Sequence, residues 1–585
     1  MTLYEAILAE LADAIESSIS DQSIQIDSAI FETPPNATLG DIAFPCFSLA
    51  KSLKKNPVQI ARDITNAIHE KTSPLIARTE AKGAYVNFFL SAKTVASKTL
   101  AVTLFDPLHE IKKKKRTPIV LEYVSPNTNK PLHLGHVRNA FLGDSIARLL
   151  ECTGTKVHKT CLVNDRGIHI CKSMVAYQHG IKGTGLKGQG MPTPKTENKK
   201  GDHFVGEYYV RFETMAKKDP AMQDAAAECL KKWEANDTRT RILWKKMNAW
   251  VLKGFDNTFK ELGISFDKTY YESAIYNQGR DLIHAAFKKG IFKKDETGAV
   301  IAPLEQYKLP DKVLLRKDGT SIYITQDIYL AYTRAKDFNN SPTLYVVGSE
   351  QDTYFNQLFQ ILKIMGFEGA QNLVHVSYGM VNLPEGRMKS REGTVVDADD
   401  LIEELKGMAY EILDAREEKL SKKEREKRTH TIALAALKYY ILEVNSSSDM
   451  IFNPKESISF HGRTGPYILY TYARLKSILR KSHAKEELLK KQKNSHYSWT
   501  AEKNLLLLLA QFSFIVEHAA HGHNPAAVAK YLYQVAKTTN EYYHENPVLN
   551  ASPNDRNARL ALVAATAQTL RKGLSLLGIS VLEKM

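Results

Sequence analysis

The chain has 585 residues, of which 43% are hydrophobic and 25% are charged. A chain of this length exceeds one hydrophobic core, so roughly three to five folding units are expected, and the composition excludes a disordered or fibrous protein. Its 80 Lys and Arg residues against 65 Asp and Glu give a net charge of +15. This charge suits a polyanionic partner such as nucleic acid, although many basic proteins bind none.

The cysteines and the apolar runs exclude further classes of protein. The five cysteines form an odd set without a CxxC pair, so neither a disulfide framework nor a zinc site is predicted. No apolar run approaches the roughly 20 residues that cross a bilayer, and Met1 leads into an acidic amphipathic pattern rather than a signal peptide. We therefore expect a cytoplasmic protein with no membrane partner, and a monomer.

The elements predicted along the chain fall into three groups. Residues 1–20 have helical spacing and Gly83–Leu90 favours a strand, which together predict an α+β module. The apolar run Pro118–Val124 is typical of a buried parallel strand, and Ser341–Val347, a helix at Phe355–Met365 and a strand at Leu373–Tyr378 continue an α/β pattern. The helices predicted beyond residue 400 are Leu401–Ala415, His430–Val444, Tyr467–Ser482, Ala501–Ala519, Ala526–Tyr543 and Asn557–Leu577.

A strand, loop and helix unit follows residue 118. The loop is Ser125–His136 (SPNTNKPLHLGH), and a helical run begins after it. A helix N-terminus offers free N–H groups and partial positive charge, Gly135 permits close ligand approach, and Lys130, His133 and His136 can donate to phosphate. Two histidines three residues apart could also be half of a metal site or ordinary surface residues. The loop context favours nucleotide binding.

This loop carries the first family resemblance. The segment SPNTNKPLHLGHVRNAFLGDSIAR resembles the HIGH signature of class I aminoacyl-tRNA synthetases, in its arginyl form. The resemblance implies ATP as a substrate, accompanied by Mg²⁺ with no dedicated protein metal site. It also implies that His133 and His136 stabilise the phosphates of ATP during the reaction. The ATP-binding residues implied here are Pro126, Asn127, His133, Gly135 and His136.

A second loop, Gly386–Gly393 (GRMKSREG), resembles the KMSKS loop of the same class. Without the resemblance it would be an exposed basic turn. It lacks the standard second lysine, and the resemblance implies that a lysine just before the HIGH element, where Lys130 stands, compensates for it. The residues implied in catalysis are Lys130, Arg387, Lys389 and Arg391, and Met388 and Ser390 are implied in ATP binding.

A substrate guanidinium requires planar carboxylate partners. The segment Asp318–Asp327 (DGTSIYITQD) matches an arginyl pattern and places Tyr323 and Asp327 four residues apart, on one side of a helix. The alternatives are a core tyrosine and a helix-capping aspartate. The resemblance implies that Asp327 pairs with the guanidinium and that Tyr323 packs on or bonds to it. The other arginine-binding residues that it implies are Gln351 and, at the amino end, Asn127 and Glu122.

The C-terminal half contains a candidate tRNA-binding helix. Tyr467, Tyr470 and Arg474 lie on it, and aromatic and arginine side chains can stack on unpaired bases. The alternative is that such tyrosines pack inside the helical bundle. The stretch resembles the DALR anticodon-binding domain, and the first 105 residues resemble the N-terminal domain of arginyl enzymes. Both resemblances imply contact with tRNA(Arg).

Together these patterns predict a Rossmann-like α/β catalytic domain with a parallel sheet, an α+β N-terminal domain and an all-α C-terminal bundle. The expected boundaries are 1–110, 111–395 with an insertion at about 175–265, a helical stem at 396–450, and 451–585. The resemblance implies an enzyme that activates L-arginine with ATP and transfers it to tRNA(Arg). Two alternatives stay open, a class I synthetase for another amino acid and a non-catalytic RNA-binding paralogue.

Overall fold

A computed structural model describes all residues except 22, 69–72, 112–115, 184–190, 383, 385–395, 416–419 and 484–501. The chain divides into two compact units. Unit 1 comprises Met1–Lys113, Phe460–Gly522 and Ala527–Met585, and unit 2 comprises Lys114–Ser459 and His523–Ala526. In the described part of the chain, no helix is both long and apolar enough to span a membrane.

Unit 2 is built on a five-stranded parallel sheet, as the apolar runs predicted. Its strands are β1 (Ile119–Glu122), β2 (Val157–Val163), β3 (Lys268–Tyr271), β4 (Thr343–Gly348) and β5 (Leu373–Tyr378). They lie in the order β5-β4-β1-β2-β3. The central position of β1 explains its continuous apolar sequence, because helices cover both faces of such a sheet. The α/β prediction is confirmed.

The helix Leu134–Cys152, here called the histidine helix, is bonded to the sheet and to the segments that follow it. The buried guanidinium of Arg138 donates to the carbonyl oxygens of Met380, Ser446 and Ser448, at 3.0, 3.2 and 2.7 Å. Asn139 accepts from the Val124 backbone N–H at 2.7 Å, just after β1, and its amide donates to a β4 carbonyl at 2.8 Å. Because buried carbonyls need donors, these two side chains hold the helix against the sheet.

The remaining elements of unit 2 surround this sheet. A small antiparallel sheet contains Lys293–Lys294, Val300–Ala302 and Lys312–Leu315, and Val381–Asn382 pairs in parallel with Met450–Ile451. The other helices are Ile168–Gly183, Gly201–Lys218, Ala221–Glu234, Thr238–Leu262, Glu272–Ile275, Gly279–Lys288, Tyr323–Asp337, Asp352–Ile364, Ala398–Asp414, Lys422–Glu443 and Pro454–Ser457. The predicted helices at 355–365 and 401–415 are thus confirmed within a few residues.

Unit 1 combines the two ends of the chain. Its antiparallel sheet contains Ile42–Pro45, Ile76–Lys82 and Tyr85–Leu90, with the last strand in the centre. The helices are Leu3–Ser18, Ala50–Leu53, Pro57–Ala67, Ala92–Thr103, Gly465–Ser482, Lys503–Ala510, Phe512–His521, Pro525–Glu545 and Pro553–Leu576. The Asp41 carboxylate accepts from the Leu90 N–H at 2.6 Å and pairs with Lys503 at 2.9 Å. The α+β and all-α predictions are confirmed.

Two helix predictions in the C-terminal half need correction. The single helix expected at Ala501–Ala519 is two helices, because the N–H of Gln511 is shared between the carbonyls of Leu507 and Leu508 and the regular ladder is interrupted there. The helix expected to begin at His430 begins at Lys422, where the Ser421 hydroxyl caps it by accepting from the Glu424 N–H at 3.2 Å.

Candidate functional site

Several candidate residues gather at the carboxyl edge of the parallel sheet. Asn127 follows β1, Glu272 follows β3 and Gln351 follows β4. Ligands of open α/β sheets bind at this edge, because the strand ends and the loops that follow them converge there. Both Asn127 and Gln351 are exposed, so their amides can reach a ligand.

The backbone just after β1 is unusual. Val124 and Ser125 have φ angles of 78° and 24°, in the left-handed region that β-branched residues rarely adopt. The bond from Val124 to Asn139 holds this conformation. Pro126 is buried and its carbonyl accepts from the Asn164 N–H at 2.9 Å. Asn127 then forms an isolated parallel bridge with Asn164, and its side chain is exposed.

The two motif histidines cap the histidine helix. His133 is its N-cap residue, and its ring Nδ1 accepts from the Gly135 N–H at 3.2 Å. The ring Nδ1 of His136 accepts in turn from the His133 N–H at 3.1 Å, and the two ring centroids are 3.9 Å apart. A neutral ring whose Nδ1 accepts carries its proton on Nε2. Each histidine thus presents an Nε2–H donor at a helix N-terminus.

Their environment keeps both histidines neutral. Burial, followed by the charge of Lys130, lowers the pKa of His133 to about 3. Burial, then the neighbouring His133 and Lys130, holds the pKa of His136 well below its ordinary value. At pH 7 the rings therefore contribute oriented donors and no charge, while the ammonium group of Lys130 supplies the positive charge. Donors without charge and one nearby cation suit a bound polyphosphate.

Lys130 borders a cavity beside this cap. Burial lowers its pKa, and within the described residues no carboxylate pairs with it. The cavity measures about 460 Å³, and its walls also contain His133, Tyr209, Arg211 and Asp397. A half-buried ammonium group without an anionic partner is costly, so this cavity favours an anionic ligand.

Tyr323 and Asp327 lie on one helix, as predicted, in Tyr323–Asp337. Tyr323 is 66% exposed, so the alternative of a core tyrosine is wrong. Asp327 lies in the second turn of the helix, which excludes an N-cap role. Its carboxylate accepts a hydrogen bond from Tyr354. Burial raises its pKa to about 6, against the lowering effect of the Tyr354 bond.

Glu272 is a site residue that the sequence reasoning missed. It is 3% exposed directly after β3, and burial raises its pKa to about 7. Its ion pair with Arg166, at 3.8 Å, opposes that rise, and the charges of Asp165 and Asp327 add to it. Carboxylates such as Glu272 and the half-buried Asp327 are suited to a planar cation such as a guanidinium. The sequence feature that could have identified Glu272 is a glutamate directly after a strand.

The structure does not support the expected role of Glu122. This residue ends β1 and is 5% exposed, and its carboxylate forms an ion pair with the buried guanidinium of Arg334. A buried carboxylate with such a partner is already neutralised, so it is not available as the main ligand of a substrate amino group. Arg334 also lies 5.3 Å from the Tyr345 ring. Glu122 therefore supports the site from within the sheet.

The other expected residues divide between described and undescribed parts of the chain. The loop Gly386–Gly393 lies outside the described residues, so its five candidates, Arg387, Met388, Lys389, Ser390 and Arg391, have no structural account. In unit 1, Tyr470 is 39% exposed and the exposed Arg474 lies 4.4 Å from the Tyr543 ring centroid. Tyr467 is half-buried and accepts from the Asn540 amide at 3.0 Å. Tyr470 and Arg474 are thus the residues exposed for RNA contact.

The raised pKa values predict how arginine binding depends on pH. Asp327 and Glu272, with pKa values of about 6 and 7, must lose their protons to pair with a guanidinium. Affinity is therefore complete above pH 8 and lost as pH falls through these values, by roughly 20-fold between pH 8 and pH 6. Calorimetric titration of arginine at several pH values measures this. A dissociation constant that stays flat over this range would contradict the assignment of both carboxylates.

Family models match nearly the whole chain. The model described as "tRNA synthetases class I (R), catalytic domain" matches residues 100–454. The "Arginyl tRNA synthetase N terminal domain" matches residues 3–90, and the "DALR anticodon binding domain" matches residues 468–585. The catalytic match contains all the site residues of unit 2 described above.

Individual proteins agree with these matches. The chain is 43% identical to an arginine–tRNA ligase of Treponema denticola over 100% of this chain and 99% of that protein. It is 40% identical to one of Parabacteroides distasonis over 99% and 98% of the two chains. The arginyl-tRNA synthetase structure of Thermus thermophilus covers 99% of this chain and 100% of its own, with a TM-score of 0.76 and 25% identity. That of Plasmodium falciparum, at 22% identity and a TM-score of 0.78, covers 100% and 99% and supports the fold.

Proposed function

Because this chain belongs to the class I arginyl-tRNA synthetase family, we propose that its sheet-edge site activates L-arginine with ATP and esterifies tRNA(Arg). The observation that carries the proposal is a pair of carboxyl groups with raised pKa values, on the half-buried Asp327 and the buried Glu272, in the same unit as a helix cap with two neutral histidines. The carboxylates suit a guanidinium, and the histidine cap suits phosphates. An aminoacyl-adenylate requires both functions in one site.

In the proposed first step, the arginine carboxylate oxygen attacks the α-phosphorus of ATP, and pyrophosphate leaves as the phosphoanhydride bond breaks. The Nε2–H groups of His133 and His136 donate to phosphate oxygens as charge develops on them. Lys130 neutralises the phosphate charge at the cavity that it borders. Asp327 and Glu272 hold the guanidinium, and Tyr323 lies against it. Asn127 and Gln351 bind the opposite end of arginine, which carries the α-amino and carboxylate groups. These roles are mainly positioning and electrostatic stabilisation.

In the proposed second step, the 2′-hydroxyl of the terminal adenosine of tRNA attacks the carbonyl carbon of the adenylate, and AMP leaves. The tRNA itself would be held through unit 1, with Tyr470 and Arg474 on the C-terminal helices. The domain boundaries expected from the sequence, with 1–110 and 451–585 devoted to tRNA, belong to this proposal. Relatives of this family generally require bound tRNA for activation, so the same is expected here.

Mg²⁺ accompanies ATP in this proposal and neutralises phosphate charge. Within the part of the chain that the structure describes, the one cluster with metal-ligand spacing is Asp202, His203 and Asp399. The Lys200 ammonium group already bonds to both aspartates of that cluster, at 3.1 and 2.5 Å. These residues therefore do not fit a metal ion. We assign no protein ligand to Mg²⁺.

ATP–pyrophosphate exchange with each of the twenty amino acids, with and without total tRNA, tests the function. Exchange with arginine alone, and only when tRNA is present, is the expected result. Exchange with another amino acid would point to a different class I specificity. No exchange under any condition would favour a non-catalytic RNA-binding paralogue.

The cytoplasmic location and the monomeric state stay expectations from the sequence. Both are compatible with an enzyme whose substrates are ATP, an amino acid and tRNA. Cell fractionation and light scattering of the purified chain would measure them directly, and a membrane-bound fraction or a stable dimer would contradict them.

A further inference from the structure

Three segments that are distant in sequence meet beside the motif histidines. They are the start of the helix Gly201–Lys218, here called the insertion helix, residue Thr258 on the helix Thr238–Leu262, and the start of the helix Ala398–Asp414, here called the aspartate helix. The aspartate helix begins just after the basic loop that resembles KMSKS.

Backbone bonds join the start of the aspartate helix to the histidine cap. The N–H of Leu134 donates to the carbonyl of Val396 at 3.1 Å, and the N–H of Ala398 donates to the carbonyl of Leu132 at 3.0 Å. His133 and Asp397 are thereby paired as in an antiparallel bridge. Because both bonds enclose His133, the position of its backbone depends on residues 396–398.

A side-chain network fixes residues 396–398 from the other side. The Nε2 of His203, on the insertion helix, lies 2.8 Å from an Asp399 carboxylate oxygen and 3.5 Å from one of Asp397. Asp399 also accepts from Lys200 at 2.5 Å and from Thr258 at 2.9 Å. Asp397 accepts from the Asp399 N–H at 2.8 Å and so caps its helix. Asp399 thus bonds to three side chains from two other segments.

The charges in this network favour one arrangement. The bond to Asp399 raises the pKa of His203, against the effect of burial. Burial alone would raise the pKa of Asp399, but its bonds with His203 and Lys200 bring it to about 2. An ionised Asp399 between an ammonium group and an imidazole has two charge-assisted bonds. Such bonds are directional, so they define where the aspartate helix begins.

Close packing also connects the insertion helix to the motif loop. A Cβ added at Gly206 on the insertion helix would lie 2.8 Å from the Cδ of Pro131, so the helix is in tight contact with the loop that precedes His133. The insertion helix thus touches the HLGH segment directly and holds residues 396–398 through His203. The two contacts leave little freedom for the histidine cap.

We propose that His203 and Asp399 are positioning residues for adenylate formation: they hold residues 396–398 on the HLGH segment and so fix His133 for phosphate contact. The proposal rests on the proposed function of that site. Asp399 does not line the cavity beside the cap, whereas His203 lies in its wall and is assigned here to holding Asp399. A small displacement of oriented donors is costly in the chemical step, whereas the arginine-binding carboxylates lie on other elements and are unaffected.

His203→Ala is the variant that tests the proposal, measured by arginine-dependent ATP–pyrophosphate exchange with tRNA present. We expect kcat to fall by roughly 10- to 100-fold, with KM for arginine changed by less than about twofold. His203→Gln, whose amide can still donate to Asp399, should recover most of the rate. The matched control is His284→Ala, because His284 is an exposed histidine on another helix of the same unit. It should behave as the wild type.

Combining His203→Ala with Asp399→Asn separates positioning from general disruption. The double variant should lose about as much rate as the worse single variant, because the shortest polar contact of His203 is with Asp399 and its effect is lost once Asp399 is changed. A wild-type kcat for His203→Ala would overturn the proposal, as would a loss that His203→Gln does not recover or that is matched by a rise in KM for arginine. If the wild-type protein itself shows no exchange, the proposed function fails first and the positioning role falls with it.

Discussion

Replacing Asp327 with asparagine is expected to lower kcat/KM for arginine by about 10³-fold, because a buried guanidinium would lose its charged partner. Asparagine has nearly the same shape, and its side-chain oxygen can still accept from Tyr354, the residue that bonds to Asp327 in the structure. The fold should therefore persist, with a thermal unfolding midpoint close to that of the wild type. Steady-state aminoacylation with varied arginine measures the effect.

The matched substitution is Glu296→Gln, which removes one negative charge from an exposed turn of the same unit. It should leave kcat/KM for arginine unchanged. Glu272→Gln should resemble Asp327→Asn in direction, since Glu272 is the second carboxylate of the pair and is buried. If Asp327→Asn reduces kcat/KM by less than about tenfold while the fold is intact, the guanidinium binds elsewhere.

The second large effect is expected at His136, and two variants of it separate its two roles. In His136→Asn the side-chain oxygen occupies nearly the place of Nδ1 and can still accept from the His133 N–H, but the Nε2–H donor is gone. We expect kcat of adenylate formation to fall by about 10²- to 10³-fold with little loss of stability. His136→Ala removes the cap as well, so it should also lower the unfolding free energy by about 1 kcal/mol.

Rapid-quench measurement of adenylate formation, together with thermal unfolding, distinguishes these outcomes. His284→Ala again serves as the exposed histidine control. If His136→Asn forms adenylate at the wild-type rate, the Nε2–H group does not contact the reacting phosphates. If both variants lose rate and stability in the same proportion, the histidine acts only as a helix cap.

Local chemistry made much of this site predictable. A strand, a polar loop and a helix start are contiguous in sequence, so Lys130, His133 and His136 were identified together, although the helix begins at Leu134, within the expected loop. Tyr323 and Asp327 were likewise linked by helical spacing alone. In each case the residues that meet in space are neighbours in the chain.

Partnerships between distant residues could not be predicted. His203 and Asp399 are 196 positions apart, and nothing in either local sequence specifies the other. Glu122 was assigned to the substrate because its sequence context gave no sign that Arg334 would neutralise it. Glu272 follows a four-residue edge strand with little apolar pattern, so its place at the sheet edge depends on pairing with β2. Tertiary packing determines such contacts.

Unit 1 is assembled from both ends of the chain, and this has a consequence for its folding during synthesis. Polar contacts join its N-terminal and C-terminal parts. The Ser513 hydroxyl donates to the Pro107 carbonyl at 2.9 Å, and the Gln568 amide donates to the Leu104 carbonyl at 3.2 Å. Lys503 forms an ion pair with Asp41. The ribosome therefore releases the N-terminal module long before the helices that complete its surface exist. At ordinary elongation rates that interval is on the order of tens of seconds. During that interval the nascent chain exposes the surface that the C-terminal helices later cover. A chaperone that binds the nascent chain would bind to this surface.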